Sequence, residues 1–285
     1  MRHTLLATLL LSFVLPLATV RSSWADDAPK KLPRMLMVTQ SKGFVHGSVK
    51  RPSTGLAPAE VAMIQLGKSS EKFTVDCTQD VTADFTKENL QKYDLVFFYT
   101  TGNLGIPEET LNYFFNTWLK QKGHGVIGAH SATDTYGDYE AYWDMMGGTF
   151  DGHPWGAGET VTISVHEPSH PAVLGLGEEF EIKDEIYQYK HFQPAKVRVL
   201  MSLNMGKCKT KKPYHVPVCW VKDYGEGRVF YTNLGHNEGT WANEKFLKHM
   251  LGGIEWTLGE LKGDATPNPD LTAAQNEKAK ADAAQ

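Results

Sequence analysis

Apolar and polar positions fall into short blocks that read alternately as strands and helices. Arg34-Met35-Leu36-Met37-Val38-Thr39 is an apolar run with strand character. Ala57-Pro58-Ala59-Glu60 then starts a helix carrying Val61, Ile64 and Leu66, with Pro58 suited to its first turn. Phe73-Thr74-Val75-Asp76 is a short strand, and Thr86 is placed to cap a helical turn at Lys87-Glu88-Asn89-Leu90. Tyr93-Asp94-Leu95-Val96-Phe97-Phe98-Tyr99 is nearly continuous in apolar residues, as expected of a strand covered on both faces. Pro107-Glu108-Glu109 opens a helix whose stripe is Leu111, Phe114, Phe115, Trp118 and Leu119, and Gly123 ends it. Val126-Ile127-Gly128-Ala129 forms the next strand and stops at His130-Ser131-Ala132-Thr133-Asp134. The order βαβαβαβ predicts an α/β fold with a mainly parallel, doubly wound sheet.

Beyond His130 the pattern changes. A helix bearing Tyr136, Tyr139, Tyr142, Trp143 and Met146 is ended by Gly147-Gly148. Strands are expected at Val161–Val165, Phe180–Tyr187 and Val197–Leu203. Val216–Val221 and Gly227–Thr232, joined by Tyr224-Gly225-Glu226-Gly227, predict an added antiparallel hairpin. A last helix covers about Asn243 to Leu258.

The two ends differ from this body. Residues 1–25 have a basic start, an apolar stretch from Leu5 to Val20 and Ser23-Trp24-Ala25, the pattern of a secretory signal cleaved after Ala25. That predicts an exported, periplasmic or extracellular product without stable membrane insertion. Residues 260–285 are poor in apolar side chains and are expected to be a disordered polar tail. Residues 26–259 are then expected to form a single α/β domain.

Composition narrows the function. The 285-residue chain has 29 basic and 33 acidic residues and a formal charge of −4, which gives no nucleic-acid surface. No nucleotide cofactor is expected. The three cysteines permit one disulfide, for which Cys208–Cys219 is the candidate, with Cys77 as a buried hydrophobe on a strand. A homo-oligomer is compatible with the pattern.

Five histidines sit in irregular segments beside strand ends or glycines: His46, His130, His153, His191 and His236. Ligands of open α/β sheets bind at the carboxyl ends of the strands. Several such histidines with a carboxylate would satisfy a divalent metal such as zinc or manganese, although no compact ligand motif is present. Asp184-Glu185-Ile186-Tyr187 is the best carboxylate cluster, and alternation sends Glu185 and Tyr187 to one face and Asp184 to the other. Each of these residues also has a structural reading, as a turn former, a core side chain or a solvated strand edge.

The segments Gly43-Phe44-Val45-His46, Gly128-Ala129-His130-Ser131-Ala132-Thr133-Asp134 and Gly147-Gly148-Thr149-Phe150-Asp151-Gly152-His153-Pro154 carry a resemblance. So do His170-Pro171, Asp184-Glu185-Ile186-Tyr187, Pro217-Val218-Cys219-Trp220 and Tyr224 through His236. In that order they resemble the ThuA-like, trehalose-utilisation family of the class I glutamine-amidotransferase-like superfamily, over about residues 34–258. The resemblance implies a flavodoxin-like three-layer sandwich. The superfamily's amidotransferases carry a cysteine nucleophile after a strand; here that turn reads Gly128-Ala129-His130-Ser131, which argues against thiol chemistry.

The family's link to disaccharide breakdown through 3-keto sugars implies a small carbohydrate substrate and a lyase, hydrolase or isomerase. On this reading the catalytic residues are His130, Glu185, Tyr187 and Asp184, and the metal ligands are His46, His153 and His236. The substrate contacts are Phe44, Asp134, Trp155, Asn237 and Glu238. A non-catalytic, exported carbohydrate-binding protein and a purely structural secreted domain are the alternatives.

Overall fold

The structure, a computed structural model, describes residues 31–285, so the leader expected at residues 1–25 lies outside the described residues. Its elements begin with β1 (Arg34–Val38), α1 (Pro58–Ser70), β2 (Thr74–Thr78), α2 (Val81–Asp84), α3 (Lys87–Leu90) and β3 (Leu95–Phe98). They continue with α4 (Glu108–Tyr113), which loosens into a π turn at Phe114–Trp118, then β4 (Gly125–Ala129), α5 (Glu140–Met146), β5 (Thr149–Phe150) and β6 (Thr160–Val165). The chain ends with β7 (Glu179–Lys183), β8 (Tyr189–Lys190), β9 (Arg198–Leu203), β10 (Pro217–Tyr224), β11 (Gly227–Thr232), α6 (Glu244–Thr257) and α7 (Pro269–Ala283).

Nine strands form one sheet in the order β2-β1-β3-β4-β11-β10-β9-β6-β7. Pairing is parallel from β2 to β11 and antiparallel beyond it. The expected hairpin is β10–β11, and β9, β6 and β7 extend it into an antiparallel wing. A separate pair joins β5 to β8.

Successive residues of the parallel strands enter two different cores. Met35 and Met37, Leu95 and Phe97, Ile127 and Phe230 face the layer of α1 and α6. Leu36 and Val38, Val96 and Phe98, Val126 and Tyr231 face Phe114, Trp118 and Tyr142. Strands buried on both faces need apolar residues at every position, which explains why these runs do not alternate. The result is the three-layer, flavodoxin-like sandwich.

Two expectations are corrected. Residues 260–285 are not a disordered tail, because α7 docks on the domain and the compact unit runs from Leu32 to Gln285. The contact joins Ala279 and Leu271, packed on the two cores, with amide hydrogen bonds. Asn268 both accepts from Val199 N–H at 2.8 Å and donates to Val199 O at 3.0 Å. Asn276 accepts the His215 N–H at 2.7 Å. The expected Cys208–Cys219 bridge is also absent, since both thiols are free and buried as small apolar side chains. Burial pushes the Cys208 thiol up to about 11. Among the described residues no helix is long and apolar enough to cross a membrane.

Candidate metal centre

The order β2-β1-β3-β4 reverses direction between β1 and β3, and the loops leaving the carboxyl ends on either side converge there. His46 lies in the loop after β1, His130 directly follows β4, and His236 follows β11. Glu185 arrives from the other side, after β7.

His130 holds a left-handed backbone, with φ at 44°, which a residue with a Cβ adopts only under constraint. The constraint is visible. Its ring Nδ1–H donates to Asn233 O at 2.8 Å, and its own carbonyl accepts from the Tyr231 hydroxyl at 2.7 Å. Two residues earlier a Cβ on Gly128 would stand 2.4 Å from Met146 Sδ and 2.8 Å from the Tyr231 ring, so a side chain there would displace both.

With its Nδ1 proton given to a carbonyl, His130 turns the lone pair of Nε2 into the site. Nε2 lies 3.1 Å from His236 Nδ1 and 3.5 Å from Glu185 Oε2, and His236 Nδ1 is 3.0 Å from the same oxygen. The His46 ring stands 4.9 Å, centroid to centroid, from both His130 and His236. One ligand atom from each of His46, His130, Glu185 and His236 lies within 4.8 Å of all the others. In a tetrahedral site with bonds of 2.0–2.1 Å, ligand atoms stand roughly 3.3 Å apart. His46 Nδ1 is also buried without a hydrogen-bond partner, although buried polar atoms are rarely left so. The four side chains fit a divalent ion that accepts nitrogen and carboxylate oxygen.

The electrostatics agree with that donor set. Burial pushes the His46 imidazole down to about 3, aided by His130 and His236, so it is neutral and able to ligate. Burial alone would raise the Glu185 carboxyl, but the imidazoles of His130 and His236 packed against it outweigh burial and hold the group well below the usual carboxylate range. Burial, with the negative charge of Glu185, drives the Tyr187 phenol far above its ordinary value. Tyr187 Oη lies 3.2 Å from His46 Nε2, and its ring packs 4.1 Å from that of His130.

A buried shell holds these groups. Asp184 is not in the cluster; it points the opposite way from Glu185 and accepts from Gly235 N–H at 2.7 Å, Asn237 N–H at 3.0 Å and the Thr240 hydroxyl at 3.1 Å. It therefore fixes the loop that carries His236. Asn233, which sequence reasoning did not single out, accepts from Tyr187 N–H at 3.0 Å and donates to Tyr187 O at 2.9 Å. Its place at the end of a strand beside Gly235-His236 was the available signal. Tyr99 and Ser48, also missed, tie the Gly235 and His236 carbonyls to the His46 loop.

The remaining candidates divide. His153 is half exposed and lies outside the four-residue cluster; its Nδ1 is 3.2 Å from the other Glu185 oxygen, Oε1. Of the three ligands expected from the sequence, His46, His153 and His236, the cluster keeps His46 and His236 and adds His130 and Glu185, both expected as catalytic. Phe44 is exposed on the rim with its ring against His46, 4.8 Å between centroids. Asp134 is half-buried after the His130 turn, and burial raises its carboxyl. Trp155 is not a stacking platform: it is fully buried, and its indole N–H donates to Thr210 O at 2.8 Å. Asn237 donates its Nδ2 hydrogens to Ala157 O at 2.9 Å and Lys183 O at 3.0 Å, and so braces a loop. Glu238 is exposed, with its carboxylate over Gly47. His191 stacks on Trp143, 4.7 Å away, and takes no part.

The sequence pattern of the ThuA family, described by trehalose utilisation, matches residues 34–257. A ThuA-like protein from Parabacteroides merdae has a similar structure, with a TM-score of 0.65 at 19% identity over 84% of this chain and 99% of that one. Another from Bacteroides uniformis gives 0.61 at 20% identity over 85% and 97%. A cytoplasmic protein of Salmonella typhimurium gives 0.51 at 11% identity over 79% and 99%. At these identities the structures speak for the fold alone. A search of curated proteins finds no match.

Proposed function

The chain belongs to the ThuA family, whose description is trehalose utilisation, and from that premise we propose that it is an exported, metal-assisted enzyme acting on a 3-keto glycoside or disaccharide derivative. The observation that carries this reading is the convergence of His46, His130, His236 and Glu185 at the carboxyl edge of the sheet. A divalent ion such as zinc or manganese, when held there, supplies Lewis-acid polarisation of the substrate's keto oxygen.

The chain's own groups do the rest. His153 stands on the rim, oriented by Glu185 Oε1 at 3.2 Å, and is the group able to reach a substrate proton. It takes the proton from C2, which the neighbouring C3 keto group makes acidic. The electron pair moves first toward the keto oxygen. Its return forms the C1–C2 double bond as the C1–O bond breaks, and His153 passes the proton it took from C2 to the departing oxygen. Tyr187, kept neutral by burial, donates a hydrogen bond beside His46. Elimination alone makes a lyase, and adding water across the new double bond completes a hydrolysis.

The test is release of the leaving alcohol from a 3-keto glycoside, with metal content measured on the same preparations. Glu185→Gln is expected to lose both metal and turnover. His153→Gln is expected to keep the metal and lose about 100-fold or more in kcat. Sugar binding without turnover in the unaltered protein would leave a carbohydrate-binding protein instead.

A further inference from the structure

One residue beyond Tyr187, at Gln188, begins a hollow of about 320 Å³, whose walls also include Asp151, Tyr189, Phe192, Tyr214 and His215. We infer that this hollow is the subsite for the second sugar ring, the leaving group of a disaccharide-like substrate whose reacting ring lies at the cluster. The inference rests on the function proposed above and extends it.

Continuity with the site is the first reason. One ribbon builds both places. Asp151 N–H donates to Gln188 O at 2.9 Å, and Gln188 N–H donates to Gly152 O at 3.0 Å. On one strand of that ribbon Asp151 is two residues from His153, and on the other Gln188 directly follows Tyr187. Phe150, the residue before Asp151, packs on the cluster side, its ring 4.3 Å from Tyr187 and 6.1 Å from His153. A glycosidic oxygen at the cluster would direct its second ring along this ribbon.

Chemistry is the second reason. Tyr189, Phe192 and Tyr214 offer aromatic surface of the kind that covers the C–H faces of a sugar ring. The Asp151 carboxylate is exposed and has no hydrogen bond or ion pair among the described residues, so it is free to accept from hydroxyls. Gln188 is already oriented, with its amide donating to Asp151 O at 2.7 Å and its carbonyl accepting from the Tyr214 hydroxyl. Aromatic faces beside fixed polar groups suit a hydroxyl-rich ring, and the volume lies at the low end of the roughly 300–1,000 Å³ range of small-molecule sites. It suits one ring, not a whole disaccharide.

Asp151→Asn and Phe192→Ala test this without touching the cluster. Asp151 is exposed, so its variant keeps the fold even if Phe192→Ala does not. Turnover of 3-keto-trehalose should fall about tenfold in kcat/KM in both variants, while turnover of the methyl 3-keto-glucoside, which has no second ring, stays unchanged. Equal effects on both substrates, or none on either, would overturn the subsite. Calorimetric titration of the full chain with trehalose separates this inference from the proposed reaction. Trehalose binding weakened about tenfold by Asp151→Asn would support the subsite even if no glycoside were turned over. No trehalose binding, or binding that Asp151→Asn leaves unchanged, would overturn the subsite while the cluster variants still judged the reaction.

Discussion

Asp184 shows how much of a metal site is built by residues that never touch the ion. Its buried carboxylate gathers two backbone N–H groups and one hydroxyl from the His236 loop. An amide in its place would set an NH₂ against one of those donors. Asp184→Asn is therefore expected to weaken metal binding by roughly 10- to 100-fold, read by competition with a chelator. Histidines elsewhere govern acid stability. Burial pushes His215 down to about 3 and His249 to about 4, so both stay neutral in the folded protein. The unfolded chain takes up protons on them below about pH 6.5. Stability should therefore fall as pH drops from about 6.5 toward 4, each histidine adding a slope of about 1.4 kcal/mol per pH unit. His249→Gln should flatten denaturation midpoints across that window by about one proton's worth. An unchanged slope would mean that His249 is not held neutral.

Among the elements, α7 departs furthest from what its composition suggests. It carries almost no apolar stripe, yet Ala279 and Thr272 are buried, Asn268 just before it holds a backbone group of β9, and its Asn276 holds the segment before β10. A helix held by hydrogen bonds leaves orphaned donors when an anchor is cut. Asn276→Ala strands the His215 N–H and should lower stability by about 1–3 kcal/mol in chemical denaturation. Metal binding should be unaffected, since none of the cluster's ligands lies on α7. A similar limit applies to β6, β7 and β9. Each was visible as a short strand, but their antiparallel joining to β10 depends on pairings between segments distant in sequence.

At the scale of the whole molecule, the cluster links loops from β1, β4, β7 and β11. An ion that binds only the folded arrangement stabilises it by mass action, about 4 kcal/mol at a thousand times its Kd. Zinc or manganese is expected to raise the melting temperature of the unaltered protein and to leave that of Glu185→Gln where it was. An equal rise in both would place the ion elsewhere.

The sequence by itself determined the layers and the edge. Apolar runs without alternation require a sheet covered on both sides, and histidines just after strands must then stand at its carboxyl end. His46, His130 and His236 were legible for that reason, and so was the split between Asp184 and Glu185, because neighbouring side chains in extended chain point opposite ways. Tertiary structure alone decided which groups share an ion. His153 and His130 are both histidines in loops beside glycines, and only the left-handed turn at residue 130, closed by Asn233 from another strand, aims one lone pair inward while the other ring stays on the rim. Trp155 and the tail went the same way. Whether an indole is covered or an amide finds a backbone partner depends on segments remote in sequence, and no local pattern records that.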